Sequence, residues 1–144
     1  MSNTFKHRNL PHLFLSAREA LMLRFRPILS SAGITEQQWR VLRILFDEKH
    51  LDAATLAKRA QVLSPSLTRM LRVLEESSFV ERHSDPQDLR RQIIRLSALG
   101  RKTVIRLSPQ IEAVYLELET AIGPRLLSSI YQNVDDMIQR VQGD

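Results

Sequence analysis

Ser64, Ser66, Thr68, Arg69 and Arg72 put three hydroxyls and two guanidiniums into one short stretch that holds no acid. Donors and cations of this kind meet phosphate oxygens and base edges in nucleic acids. The apolar residues among them, Leu67, Met70, Leu71 and Leu74, fall at i, i+3, i+4 and i+7. That spacing predicts a helix with one apolar stripe and one hydroxyl-rich, cationic face. A solvated face on an ordinary packed helix has the same composition, so the stretch alone leaves both readings open. Upstream, Trp39 and Arg43 stand four residues apart, hence on one helical face. An indole beside a guanidinium suits an aromatic carboxylate, stacking on one and ion-pairing with the other. The plainer reading buries Trp39 and pairs Arg43 with Asp47 at i+4.

Other chemistries find few residues to carry them. The four histidines, His7, His12, His50 and His83, form no H-E-x-x-H spacing, no G-x-S-x-G occurs, and four glycines build no phosphate loop. With no cysteine there is no disulfide, zinc-thiolate site or thiol nucleophile. The expectation is a protein that is not an enzyme, with no catalytic residues, metal or cofactor. No apolar run approaches the ~18 residues of a membrane span and residues 1–8 are polar, so a soluble, cytoplasmic protein is expected. The net charge of +5 is unevenly spread: residues 52–106 carry 11 basic against 6 acidic side chains, and residues 107–144 carry 2 against 6. This division suggests one surface facing a polyanion and another kept away from it.

The elements that must position these groups follow from periodicity and caps. Leu10 to Arg26 predicts a helix that Pro27 ends or kinks, and Gly33 permits a sharp break. Thr35-Glu36-Gln37-Gln38 is a capping box opening a second helix through about Phe46. Ala53, Leu56, Ala57 and Ala60 make a short helix with small residues, Gln61-Val62-Leu63 a turn, and Ser64 the cap of the next helix with Pro65 at its first position. This is a helix-turn-helix arrangement. Phe79 to His83 reads as a strand, Ser84 to Asp88 as a turn and Gln92 to Leu96 as a second strand, and a hairpin after a helix-turn-helix is a wing. Ser97 caps a long helix with a kink expected at Pro109, and a final helix follows Gly123-Pro124. These long amphipathic helices need a partner; a second copy of the chain supplies one, and an intrachain bundle is the alternative.

Asp85-Pro86-Gln87-Asp88-Leu89-Arg90-Arg91, with Leu96-Ser97-Ala98-Leu99-Gly100 after it, resembles the wing signature and following helix start of the MarR family of winged-helix transcription regulators. Arg18-Glu19-Ala20-Leu21-Met22, Phe25-Arg26-Pro27 and Thr35 to Arg40 resemble the branch that regulates homoprotocatechuate and hydroxyphenylacetate operons. Ser97 departs from the usual Thr, and Leu99 stands where a charged residue is common. The resemblance implies a mainly α fold with a small β-hairpin wing. Its order is helix, helix, strand, helix, helix, strand, wing, strand, helix, helix. Residues 35–96 would be the DNA-binding winged helix-turn-helix, and 1–34 with 97–144 the dimerisation helices.

The same resemblance implies a homodimeric repressor on a pseudopalindromic double-stranded operator. Ser64, Ser66, Thr68, Arg69 and Arg72 would face the major groove. Arg90 would be the minor-groove arginine, Asp88 the acid holding it, and Arg91 a phosphate or wing-flanking contact. A small aromatic carboxylic acid would release the DNA from a pocket matching Glu36, Trp39, Arg43 and Tyr115, with His7 and Arg18 as further candidates. The alternative is a winged-helix dimer that binds a protein or a small acid without specific DNA readout.

Overall fold

The computed structural model describes residues 4–143, in two compact units that divide between Ser108 and Pro109. Asn9 opens α1 (Leu10–Ser31), accepting the His12 N–H on its side chain at 3.1 Å. The helix does not stop at Pro27. The carbonyl that Pro27 leaves without a donor belongs to Leu23, and both residues are exposed, so solvent can serve that group and the helix continues to Ser31. Pro109 is accommodated similarly inside α5 (Ala98–Ile122): the Ser108 hydroxyl donates to the Ile105 carbonyl at 2.8 Å, the acceptor that proline cannot use.

The capping box forms as expected at the start of α2 (Glu36–Glu48). Gln38 N–H donates to the Thr35 hydroxyl at 3.1 Å, and Thr35 N–H to the Gln38 side chain at 3.0 Å. β1 (His50–Asp52) leads into α3 (Ala53–Ala60), which Asp52 caps, and a turn then leads into α4 (Ser64–Glu76). Ser64 is not the cap of α4. It is already helical, Leu63 holds the extended cap position without a side-chain bond, and the Ser64 carbonyl accepts the Thr68 hydroxyl at 3.0 Å.

Helices α1, α3 and α4 end in one way. The residue after the left-handed position reaches back to the helix, Ile34 N–H to Leu29, Val62 to Ala57 and Phe79 to Leu74, and each is an apolar residue that seals the end. Gly33 supplies the positive φ in the first case, but Gln61 and Ser78 adopt it in the others.

The wing strands are longer than the sequence suggests. β2 (Val80–Asp85) and β3 (Asp88–Leu96) leave only Pro86 and Gln87 in the loop. Asp85 and Asp88, both turn formers, sit at the strand ends. Their carboxylates accept the N–H groups of Gln87 at 2.9 Å and Arg90 at 3.1 Å, which tightens the loop. The sheet is antiparallel in the order β1-β3-β2, with Asp52 opposite Ile93 at the end of β1 and a register shift at Ser84/Asp85. One apolar core binds sheet and helices, with Val41, Leu42, Leu56, Ala60 and Ile94 fully enclosed and Leu67, Leu71 and Leu74 supplying the inner stripe of α4. The second unit holds the end of α5 and α6 (Pro124–Gln142), whose Leu126, Ile130, Tyr131 and Ile138 are exposed.

Ser97 caps α5 as expected, accepting the Gly100 N–H at 2.9 Å. Gly100 itself has a steric reason: a Cβ there would lie 2.1 Å from the Phe79 carbonyl oxygen. Gly100→Ala is therefore expected to destabilise the fold by about 2–3 kcal/mol, since backbone rather than a flexible side chain must yield. Chemical denaturation reads this as a lower midpoint at unchanged slope.

Candidate nucleic-acid interface

On α4 the inner stripe is buried, which leaves Ser64, Thr68, Arg69 and Arg72 exposed and Ser66 half-buried. Arg69 donates to the Ser66 hydroxyl at 3.4 Å, and among the described residues it has no ion pair. Ser66 and Arg69 line an open groove of about 530 Å³ with Gln37, Gln38, Arg40 and Gln61, and no acid takes part. Arg40 carries no signal of a structural role in the sequence. Its guanidinium donates to the Ala60 carbonyl at 2.7 Å, tying α2 to the end of α3 just before the turn. Burial pushes its pKa below the usual arginine range. Nothing in its spacing could have exposed that role, because the acceptor is a backbone group twenty residues away.

The hairpin sorts its arginines sharply. Arg82 pairs with Glu75 at 3.0 Å, Arg95 with Glu81 at 2.8 Å and Arg91 with Asp52 at 2.7 Å. Among the described residues the guanidiniums of Arg90 and Arg72 have no ion pair. Asp88 does bind Arg90, but through its backbone N–H and not its guanidinium, so the acid shapes the loop and leaves the cation available. Asp88, Arg90 and Arg91 surround a second hollow, of about 440 Å³, with Asp52 and Gln92.

The candidate effector residues are partly gathered. Arg18 donates to Glu36 at 3.0 Å, and Arg26 bridges Glu36 and Glu19, the latter at 2.7 Å. The Arg26 hydrogen bond, aided by Arg18 and opposed by burial, holds the Glu36 carboxyl below the usual carboxylate range. Glu19 and Arg26 are seven residues apart, two helical turns, a spacing that could have marked Arg26 as part of this network. Trp39 is half-buried against the core, and Arg43 is bound to Asp47 at 3.1 Å, the plainer of the two sequence readings. Tyr115 lies on α5 in the second unit, and His7 is exposed ahead of α1.

A short helix, a tight turn, a cationic helix and a paired hairpin define a winged helix-turn-helix, with its unpaired arginines on α4 and the wing. The MarR family model matches residues 34–91. The chain is 38% identical over 123 residues to the HTH-type transcriptional regulator FarR of Neisseria gonorrhoeae, covering 85% of this chain and 84% of that one. It is 36% identical over 132 residues to the homoprotocatechuate degradative operon repressor of Escherichia coli, covering 92% and 89% respectively. The crystal structure of NadR in complex with 4-hydroxyphenylacetate superposes with a TM-score of 0.85 at 35% identity, covering 95% of this chain and 97% of that one. The chain belongs to the MarR family of transcriptional regulators.

Asp52 gives this region a pH dependence. The Thr55 N–H first, then Arg91 and the Thr55 hydroxyl, bring its pKa from 3.8 down to about 2. A carboxyl depressed in the folded state contributes stability that is complete above its unfolded pKa and is lost as pH falls through the folded one. Stability is thus expected to fall between about pH 4 and pH 2. Asp52→Asn should flatten that part of the profile, measured by thermal unfolding across the range.

Proposed function

We propose that this protein is a cytoplasmic homodimeric repressor that binds a pseudopalindromic DNA operator and is released by a small aromatic carboxylic acid. The observation that carries the DNA reading is the selective pairing of arginines. Those that brace the hairpin hold acids, while among the described residues Arg72 on α4 and Arg90 on the wing hold none. An arginine without an internal carboxylate suits a phosphate or the narrow, electronegative minor groove. In this reading Ser64, Ser66, Thr68, Arg69 and Arg72 meet the major groove and Arg90 the minor groove. Residues 1–34 and 97–144 supply the dimer helices, consistent with exposed Leu10, Leu13 and Phe14 on α1 and Leu126 and Ile130 on α6.

The effector reading draws on the 4-hydroxyphenylacetate that NadR holds and on the name of the homoprotocatechuate repressor. Glu36, Trp39, Arg43 and Tyr115, with His7 and Arg18, are the residues assigned to it. Arg18 and Arg43 already hold Glu36 and Asp47. An incoming carboxylate therefore exchanges partners and does not fill an unoccupied cation. Such an exchange would alter the α1 to α2 linkage, and an acid favouring one dimer arrangement would shift the population away from the operator-bound one.

Arg90→Ala is expected to weaken binding to a duplex selected by the wild-type protein about ten- to a hundredfold while the dimer stays intact. Loss of dimerisation would mean that Arg90 is misplaced. Binding to any duplex without sequence preference, however steep its salt dependence, would overturn operator recognition. Millimolar 4-hydroxyphenylacetate is expected to release the selected duplex in the same assay; unchanged affinity would remove this acid as effector.

A further inference from the structure

We propose that Asp52 and Asp85 make Arg91 a positioning residue for the wing, not a DNA contact. Clamped between the carboxylate that caps α3 and the carboxylate at the hairpin tip, its guanidinium sets where Arg90 is presented. This rests on the operator-binding reading above. Arg91 Nη2 and Nε lie 2.7 and 3.2 Å from Asp52 Oδ2, and Nη1 lies 3.6 Å from Asp85 Oδ2. One cation thus faces two carboxylates, and a phosphate approaching Arg91 meets both acids. The acids are the enclosed partners, with side chains 16% and 19% exposed against 53% for Arg91.

The anchor at Asp52 is rigid. Its Oδ1 takes the Thr55 N–H at 2.7 Å, and its backbone pairs opposite Ile93. Beyond Ile93 toward the tip, β3 has β2 alone beside it, and the register shift at Ser84/Asp85 interrupts even that pairing. A two-stranded ribbon of this kind is marginal by itself. The Arg91 clamp is the side-chain link that returns the overhang to the helix-turn-helix. Arg90 is the next residue along β3 and lines the same hollow as Arg91 and Asp52, so holding Arg91 to Asp52 fixes the stretch of backbone that carries Arg90.

The test uses the full-length dimer and a duplex selected from a random-sequence pool by the wild-type protein. Arg91→Ala is expected to lower affinity on the order of tenfold with the slope of log affinity against log salt unchanged, whereas Arg72→Ala lowers that slope by about one. Asp52→Asn, which keeps the cap oxygen for Thr55, should weaken binding comparably, and the double variant should be no worse than either single one. Without DNA, amide exchange at Leu89 to Gln92 should speed up in both single variants. A reduced salt slope for Arg91→Ala, additive losses in the double variant, or unchanged wing exchange would each overturn the proposal. If the wild-type chain selects no duplex, the operator reading fails, and wing exchange still decides the role of Arg91.

Discussion

A hairpin of two strands is marginal in water, and the wing of this protein depends on being held at its base. The three residues His50 to Asp52 do this by pairing with Arg95, Ile94 and Ile93, which turns the hairpin into a three-stranded sheet with β3 in the middle. Ile94 is thereby enclosed in the core shared with α2, α3 and α4. The other side of the base is closed where Ser97 N–H meets the Phe79 carbonyl at 3.0 Å and Gly100 allows α5 to pass against that same residue. The orientation of the wing, and of any group on it, follows from these attachments.

Electrostatics divides the same region by function. Most arginines near the sheet are held by acids, and exposed pairs of this kind contribute little to stability. Their effect is geometric: they fix long side chains and neutralise them, so the cations left over stand out. Arg72 and Arg90 are such cations, on the helix and the wing respectively. On α1 and α2 the same logic makes Glu36 a shared acceptor for Arg18 and Arg26, linking the two helices through one carboxylate.

Much of this was legible in the chain. The capping box at Thr35 and Gln38, the helix-turn-helix spacing, the hairpin and the Ser97 cap all form as local chemistry requires. The misreadings share a cause. Ser64 has a capping side chain and Pro27 a ring that opposes helix, yet the helix begins one residue earlier in the first case and runs through the second. Cap choice and proline tolerance depend on what surrounds the orphaned groups. Turn propensity alone places Asp85 and Asp88 in the loop, but as ends of paired strands they use that propensity to close a two-residue loop. Gln61 and Ser78 take the left-handed conformation without being glycine, so no residue type marked those helix ends.

What the sequence determined alone was the set of elements and the chemistry on offer: an amphipathic α4 with hydroxyls and arginines outward, a basic hairpin and apolar helices at both ends. Periodicity and capping act over a few residues and can be read in one dimension. What only the tertiary structure decided was which charges cancel. Asp52 and Arg91 are thirty-nine positions apart, and Arg40 meets a carbonyl on another helix. Ion pairing falls off steeply with distance through space, and separation along the chain does not predict it. The distinction between an arginine held by an acid and one that is not therefore exists only once the chain is folded.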